Sequence, residues 1–345
     1  MHYNVIIIGG GPSGLACATA LAEHQKEVLL LERKSRFGPK VCAGGITWSG
    51  LLTKVPPHLI EKQFHVQHVI TPFQQARIIE KDPIIATVNR TNLGRHMAEK
   101  AKKSGVDLRA SCQLTQIHHE NKQLVFEDKE NGKEYIAHYD ILVGADGATS
   151  KVRKHLGLTT ESLGVGINYQ YPATAEKMEW HLDWTTFRNG YGWIFPHHDS
   201  ISIGAYADRR QMTPAALKAA LLAWSEKQGY DLSRLQPRAE LVNHDYQGWN
   251  FGDIFLVGEA AGLASGLTGE GIYPAIVSGE IIGNHIADKG TDLQQMERLI
   301  AMHQVHSRMV RRTGKNRILT SLLFETITLL LRTKALSFKK LEMAH

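Results

Sequence analysis

The chain has 345 residues, 43% hydrophobic and 21% charged, ordinary for a soluble protein with a core large enough for two domains. Three cysteines, Cys17, Cys42 and Cys112, form no CxxC pair and cannot build a disulfide framework, so a reducing cytoplasm is expected. The net charge of +6 sits at one end, where residues 301–345 hold nine Lys/Arg against Glu325 and Glu342; this speaks against nucleic acid and for either an anionic surface or a solvated helix face.

A first strand is expected at residues 3–8, a continuous apolar run ended by glycine, as buried parallel strands are. It starts too early for a leader peptide to precede it. An alanine-rich helix follows from Ser13 to about Gln25, then a second buried strand at 28–31 running into Glu32 and Arg33. This is a βαβ beginning. Residues 92–104 read as a helix, 106–108 and 114–117 as short strands, and 124–128 with 135–138 as a hairpin around Asn131-Gly132. A separate buried strand at 141–143 runs into Asp146.

The pattern then changes. Val165, Ile167, Tyr169 and Tyr171 alternate; so do Trp180, Leu182 and Trp184; so do Tyr191, Trp193 and Phe195, after Asn189-Gly190; so do Ile201, Ile203 and Ala205. These predict a four-stranded antiparallel meander. A helix follows with Thr213 as N-cap and Pro214 at its first position. The parallel character returns at 254–257, followed by helices over 272–287 and from Leu293. Residues 318–331 are apolar but too short to span a bilayer; they suit a pocket wall or a membrane interface. The eighteen histidines lack partner ligands at useful spacing, and no metal site is expected.

Three glycine-bearing segments carry chemistry. Gly9-Gly10-Gly11-Pro12-Ser13-Gly14 joins the first strand to its helix. There Gly9 permits the turn, Gly11 lets a pyrophosphate approach, and Gly14 lets helix and strand pack closely. Glu32 stands where a carboxylate holds ribose hydroxyls. Gly144-Ala145-Asp146-Gly147 follows the 141–143 strand. Gly258-Glu259-Ala260-Ala261-Gly262 ends the 254–257 strand, and Gly266-Leu267-Thr268-Gly269-Glu270-Gly271 opens the next helix. The first segment alone does not separate NAD from FAD; the three in this order predict FAD. Tyr191, Trp193 and Phe195 share one strand face, which is either a sheet–helix core or the wall of an apolar site.

These segments resemble the FAD-dependent oxidoreductases built like p-hydroxybenzoate hydroxylase. Within them, Lys40-Val41-Cys42-Ala43-Gly44-Gly45 and Tyr191-Gly192-Trp193-Ile194-Phe195-Pro196 resemble the cysteine-glycine stretch and the YxWxFP motif of the geranylgeranyl reductase family. The resemblance covers most of residues 1–290. It implies a Rossmann-like α/β FAD-binding domain (1–50, 75–157 and 245–300), an inserted antiparallel β-sheet substrate domain (51–74 and 158–244) and a basic, apolar helical segment (301–345). It implies cofactor contacts from Gly9, Gly11, Pro12, Ser13, Gly14, Glu32, Arg33, Cys42, Ala43, Gly44, Arg90, Asp146, Gly147, Gly258, Glu259, Leu267, Gly269 and Gly271. Tyr191, Trp193, Phe195 and Pro196 would hold substrate, with Cys42 and Tyr191 the candidate catalytic groups. Glu259 stands where the family usually has aspartate, and Gly266 where it has proline.

The implied activity is reduction of carbon–carbon double bonds in an isoprenoid or other long apolar, lipid-like substrate. Electrons would come from NAD(P)H or a small redox protein. A flavin monooxygenase of an apolar or aromatic substrate uses the same fold, and a membrane-associated flavin-binding protein without turnover is a third reading. The expected location is cytoplasmic and peripheral at the membrane, with contact through 316–345.

Overall fold

The computed structural model describes every residue except 41, 48–49, 51–53, 315 and 345. Five parallel strands form the centre of the first sheet, in the order Ile254–Leu256, Lys133–Gly144, His2–Ile8, Val28–Leu31 and Asp107–Arg109. The expected strands at 135–138 and 141–143 are one continuous strand. Its first half pairs with Gln123–Asp128 and its second half with His2–Ile8 and Ile254–Leu256. The run looked broken because burial alternates in the half-solvated hairpin and becomes continuous only between parallel neighbours.

Helices Pro12–Glu23 and Ile272–Ala287 cross closely on this sheet. A Cβ at Gly279 would lie 2.2 Å from the Ser13 carbonyl oxygen, and one at Gly283 would lie 2.7 Å from that of Cys17. Small residues thus let the two backbones touch. Cys17 is a packing residue there, its thiol pushed up to about 12 by burial.

The second sheet has seven strands, not the expected four. Their order is Arg238–Asn243, Leu163–Tyr171, Ile201–Asp208, Tyr191–Pro196, Met178–His181, Val66–Ile70 and Gln75–Ile79. Nor is it a simple meander: Leu163–Tyr171 pairs with Ile201–Asp208 rather than with Met178–His181. Trp184 leaves the expected strand pattern. Asp183 accepts from the Thr185 N–H at 2.8 Å and starts a short helix, Trp184–Phe187, a local side-chain bond that competes with sheet pairing. Gln75–Ile79 pairs with Val66–Ile70 in this sheet, so the expected boundary at residue 75 cuts through a hairpin. A third, small sheet (Gly45–Thr47, Ile85–Val88, Ile60–Phe64) flanks that hairpin in sequence.

The C-terminal helix Arg317–Arg332 packs with polar groups inward. Glu325 accepts from the Thr71 hydroxyl and the Gln74 side-chain amide, both at 2.8 Å. Thr320 and Thr328 are buried beside Phe324 and Leu331. Other apolar residues of this helix face out: Ile318 is 70% exposed and Leu322 60%. Among the described residues, no helix is long and apolar enough to cross a membrane.

Candidate active site

Two helix starts open on one cavity of 710 Å³. Pro12–Glu23 begins behind Gly11 and Ile272–Ala287 behind Gly271, and neither start has a side-chain cap. Their first-turn N–H groups therefore remain available to an anion, and the helix dipoles favour one.

The first start is shaped by glycine. Gly9 has φ +108°, and a Cβ there would lie 2.3 Å from the Ala145 carbonyl oxygen. Glu32 accepts from the backbone N–H groups of Gly10 and Lys34, each at 2.8 Å, which fixes its carboxylate at the cavity edge. Asp146 Oδ2 accepts from the Lys151 N–H at 2.6 Å. Asp146 Oδ1 is buried without a partner among the described residues, and burial pushes this carboxyl above its ordinary range.

Arg90 lies in the first turn of helix Arg90–Lys103, two residues earlier than the expected start because Asn89 caps it. The residue is 9% exposed, and its Nε and Nη1 have no partner among the described residues. Burial lowers its pKa, while Cys42 and Glu259 pull the other way. Glu259 pairs with Lys40 through Oε1, and its Oε2 is buried without a partner. Buried polar groups left in this state are costly unless a ligand satisfies them. A dinucleotide offers what they lack: a diphosphate and ring carbonyls for the guanidinium and helix starts, hydroxyls for the carboxylates. The residues present fit FAD.

Aromatic rings form the far side of the same cavity. Trp180 stands directly opposite Trp193 in the neighbouring strand. Its ring lies 4.9 Å from that of Tyr191 and 5.0 Å from that of Phe195, and Phe338 from the C-terminal segment approaches to 6.3 Å. The Tyr191 hydroxyl donates to the Thr268 carbonyl, and burial pushes its pKa upward. A chain of 3.0 Å hydrogen bonds runs from Trp193 Nε1 to Ser202 Oγ, from Ser202 to Asn168 Oδ1, and from Asn168 Nδ2 to the Cys42 carbonyl. The Cys42 thiol accepts from the Gly44 N–H at 3.3 Å. Val41 of that stretch lies outside the described residues.

Of the residues predicted for the site, Gly14, Gly44, Gly258 and Pro196 do not line the cavity. They stand behind its wall. A Cβ on Gly14 would lie 2.0 Å from Gly9 O, one on Gly44 would lie 2.4 Å from the His197 ring, and one on Gly258 would lie 2.8 Å from Ser13 Oγ. Pro196 accepts from Thr87 at 3.0 Å. The other predicted residues, from Gly9 to Gly271 and from Tyr191 to Phe195, do line it. Gly266, where proline was the usual residue, leaves room for His244, whose Nδ1 would lie 2.6 Å from a Cβ at 266.

Sequence reasoning missed Trp180, Asn168, Glu270, Phe338 and Glu342 as site residues. The alternation of Trp180 with Leu182 was a visible signal; nothing local marked Phe338 or Glu342, which reach the cavity only because the chain's end folds back. Glu270 accepts from Thr47 Oγ1 and from the Met343 N–H, both at 3.0 Å.

A parallel sheet with a dinucleotide cradle, joined to an antiparallel sheet that walls one shared cavity, defines a flavin-dependent oxidoreductase. The chain belongs to the FAD binding domain family, which matches residues 2–288. It is 28% identical to a digeranylgeranylglycerophospholipid reductase of Methanosphaera stadtmanae, over 82% of this chain and 77% of that one. It is 27% identical to a geranylgeranyl diphosphate reductase of Rhodobacter capsulatus, over 81% and 73%. In fold it is similar to a geranylgeranyl bacteriochlorophyll reductase-like protein of Thermoplasma acidophilum, with a TM-score of 0.82 at 18% identity, covering 99% of this chain and 95% of that one.

Proposed function

We propose that this protein reduces carbon–carbon double bonds of an isoprenoid or other long apolar chain. The observation that carries the reading is continuity: the wall of Trp180, Tyr191, Trp193 and Phe195 and the cradle of Gly11, Arg90 and Gly271 line one cavity. The names of both relatives carry geranylgeranyl chains, and such a chain suits this wall.

The two helix starts and Arg90 would hold FAD in the cradle, and the reduced cofactor would supply hydride chemistry there. The chain's own part is placement. An isolated alkene has no carbonyl to take up charge, so the rings must hold it still and keep water out. The two helix starts and Arg90 favour negative charge at the cradle. The Tyr191 proton is committed to Thr268, which leaves the ring a positioning role. Cys42 sits beside the cradle, its loop held by Asn168. Electrons come from NAD(P)H or a small redox protein, since the sequence has no second GxGxxG. The FAD-binding domain takes residues 1–50, 80–157 and 245–300, and the hairpin 66–79 joins the substrate sheet.

The C-terminal helix supports peripheral contact with the cytoplasmic membrane face. Ile318, Leu319, Leu322, Leu329 and Leu330 are exposed, flanked by Arg317, Arg332 and Lys334, the make-up of a helix lying in an anionic lipid interface. Its other side carries Phe324 and Leu331 into the cavity lining, so lipid and active site meet across one helix.

Mass spectrometry of lipids that co-purify with the holoprotein tests the substrate class. Polyprenyl lipids are expected; straight-chain lipids alone would remove the isoprenoid from the reading.

A further inference from the structure

Glu342 is a carboxyl that folding has placed at some cost. It is 1% exposed, it lines the cavity that Trp180 and Phe338 also line, and neither of its oxygens has a hydrogen-bond partner among the described residues. Its neighbour Glu270 is also buried in the cavity wall, but both Glu270 oxygens are engaged, by Thr47 Oγ1 and the Met343 N–H. The two carboxyls reach the same place from chain positions 72 residues apart. Such a pair cannot ionise fully in a dry site. Burial raises the pKa of Glu270 as well, but its two donors act against that and make it the better stabilised of the two as a carboxylate. Glu342, with none, is left holding a proton that no protein group accepts.

We propose that Glu342 is the acid that completes the reduction, giving its proton to the substrate carbon next to the one that receives hydride. The inference rests on the double-bond reading above. In the step, the alkene π bond breaks and two C–H bonds form. One carbon takes a hydride from the reduced cofactor, which is thereby oxidised by two electrons. The other carbon takes the Glu342 proton, and the resulting carboxylate regains a proton from water. The sequence-level candidates are less suited: the Tyr191 proton is bound to Thr268 O, and Cys42 Sγ accepts from the Gly44 N–H.

The charged groups that face Glu342 are Glu270, from the loop before helix Ile272–Ala287, and Lys339, from its own segment; burial and Glu270 raise its pKa to about 8, against Lys339. At neutral pH it is therefore protonated and close to the pH at which a general acid works best.

Three proteins are compared as FAD holoproteins: wild type, Glu342→Gln and Glu342→Asp. Anaerobically reduced samples are mixed with a polyprenyl diphosphate, and reoxidation of the flavin and saturation of the lipid are followed together. A carboxylic-acid C=O infrared band, sensitive to deuterium exchange, is titrated in each protein without substrate. The wild type should show a band that disappears as pH rises through about 8, and its rate should fall through the same range. E342Q should lack that band and slow by about 10²–10⁴-fold, with FAD binding and substrate KM retained; E342D should recover part of the rate. Equal rates and pH profiles in wild type and E342Q, or a wild type without the band, would overturn the assignment of Glu342 alone. A wild type that saturates no lipid would overturn the double-bond reading and the acid's role with it.

Discussion

The side-chain amide of Asn168 holds the backbone carbonyl of Cys42 at 3.0 Å, across 126 residues of chain. Asn168 is itself held by Ser202, and Ser202 by the Trp193 indole. The aromatic wall and the Cys42 loop are thus parts of one buried network, in which each polar atom has its partner. Networks of this kind are rigid when complete and costly when broken. Asn168→Ala should leave the Cys42 carbonyl and Ser202 under-bonded and destabilise the fold by about 1–3 kcal/mol, read as a shift in the urea midpoint. FAD affinity should fall with it. An unchanged midpoint and an unchanged FAD Kd would show that the network does not couple the two walls.

Arg90 separates the demands of folding from those of binding. Its guanidinium is buried, with Nε and Nη1 unbonded among the described residues. Arg90→Met should therefore make the apoprotein as stable as wild type or more so, because an unpaired buried charge is removed. The same change should weaken FAD by about 2 kcal/mol or more, the worth of charge-assisted hydrogen bonds. Thermal melts of the apoprotein and titration with FAD give the two numbers. A loss of apoprotein stability with no loss of affinity would place Arg90 in the scaffold alone.

Glu342 should leave a mark on stability against pH. Its folded pKa of about 8 lies above the ordinary 4.5. Below 4.5 the folded and unfolded chains both keep the proton and nothing is lost. Between 4.5 and about 8 the unfolded chain releases the proton while the folded chain retains it, so stability falls as pH rises across that window. The loss is on the order of 3–5 kcal/mol if burial persists throughout. Urea midpoints taken across the window should decline less in E342Q than in wild type. Parallel declines would mean that Glu342 titrates normally.

The exposed face of helix Arg317–Arg332 predicts lipid binding that depends on charge. Wild-type protein should sediment with vesicles containing phosphatidylglycerol and far less with phosphatidylcholine alone. Leu322→Glu, at a 60% exposed position, should abolish sedimentation while leaving the fold intact, since the side chain packs on little. Sedimentation unaffected by L322E would assign attachment to another surface.

Much of the cradle was legible in the sequence because its residues answer to local rules. Gly9, Gly11 and Glu32 have their meaning within one βαβ unit, and Tyr191, Trp193 and Phe195 share a face through strand periodicity alone. The second sheet was only half legible. Its alternating strands were visible, yet Leu163–Tyr171 pairs with Ile201–Asp208, a long-range choice that alternation does not encode. Trp184 followed the period and still left the strand, because Asp183 captured the Thr185 N–H. Gly14 was legible as a packing glycine, whereas nothing local showed that Gly44 and Gly258 also stand close against the His197 ring and Ser13. Glu342 was hidden for a different reason: an isolated acid in a basic tail looks solvated until the tail folds onto Glu270.

Reduction of an isolated double bond is the central claim, and anaerobic single turnover tests it most directly. The holoprotein, reduced with dithionite, is mixed with geranylgeranyl diphosphate, and both the flavin spectrum and the lipid mass are recorded. The account predicts that the flavin reoxidises without oxygen and that each turnover adds two hydrogens to the lipid. Flavin that stays reduced until air is admitted, with lipid unchanged or hydroxylated, would contradict it.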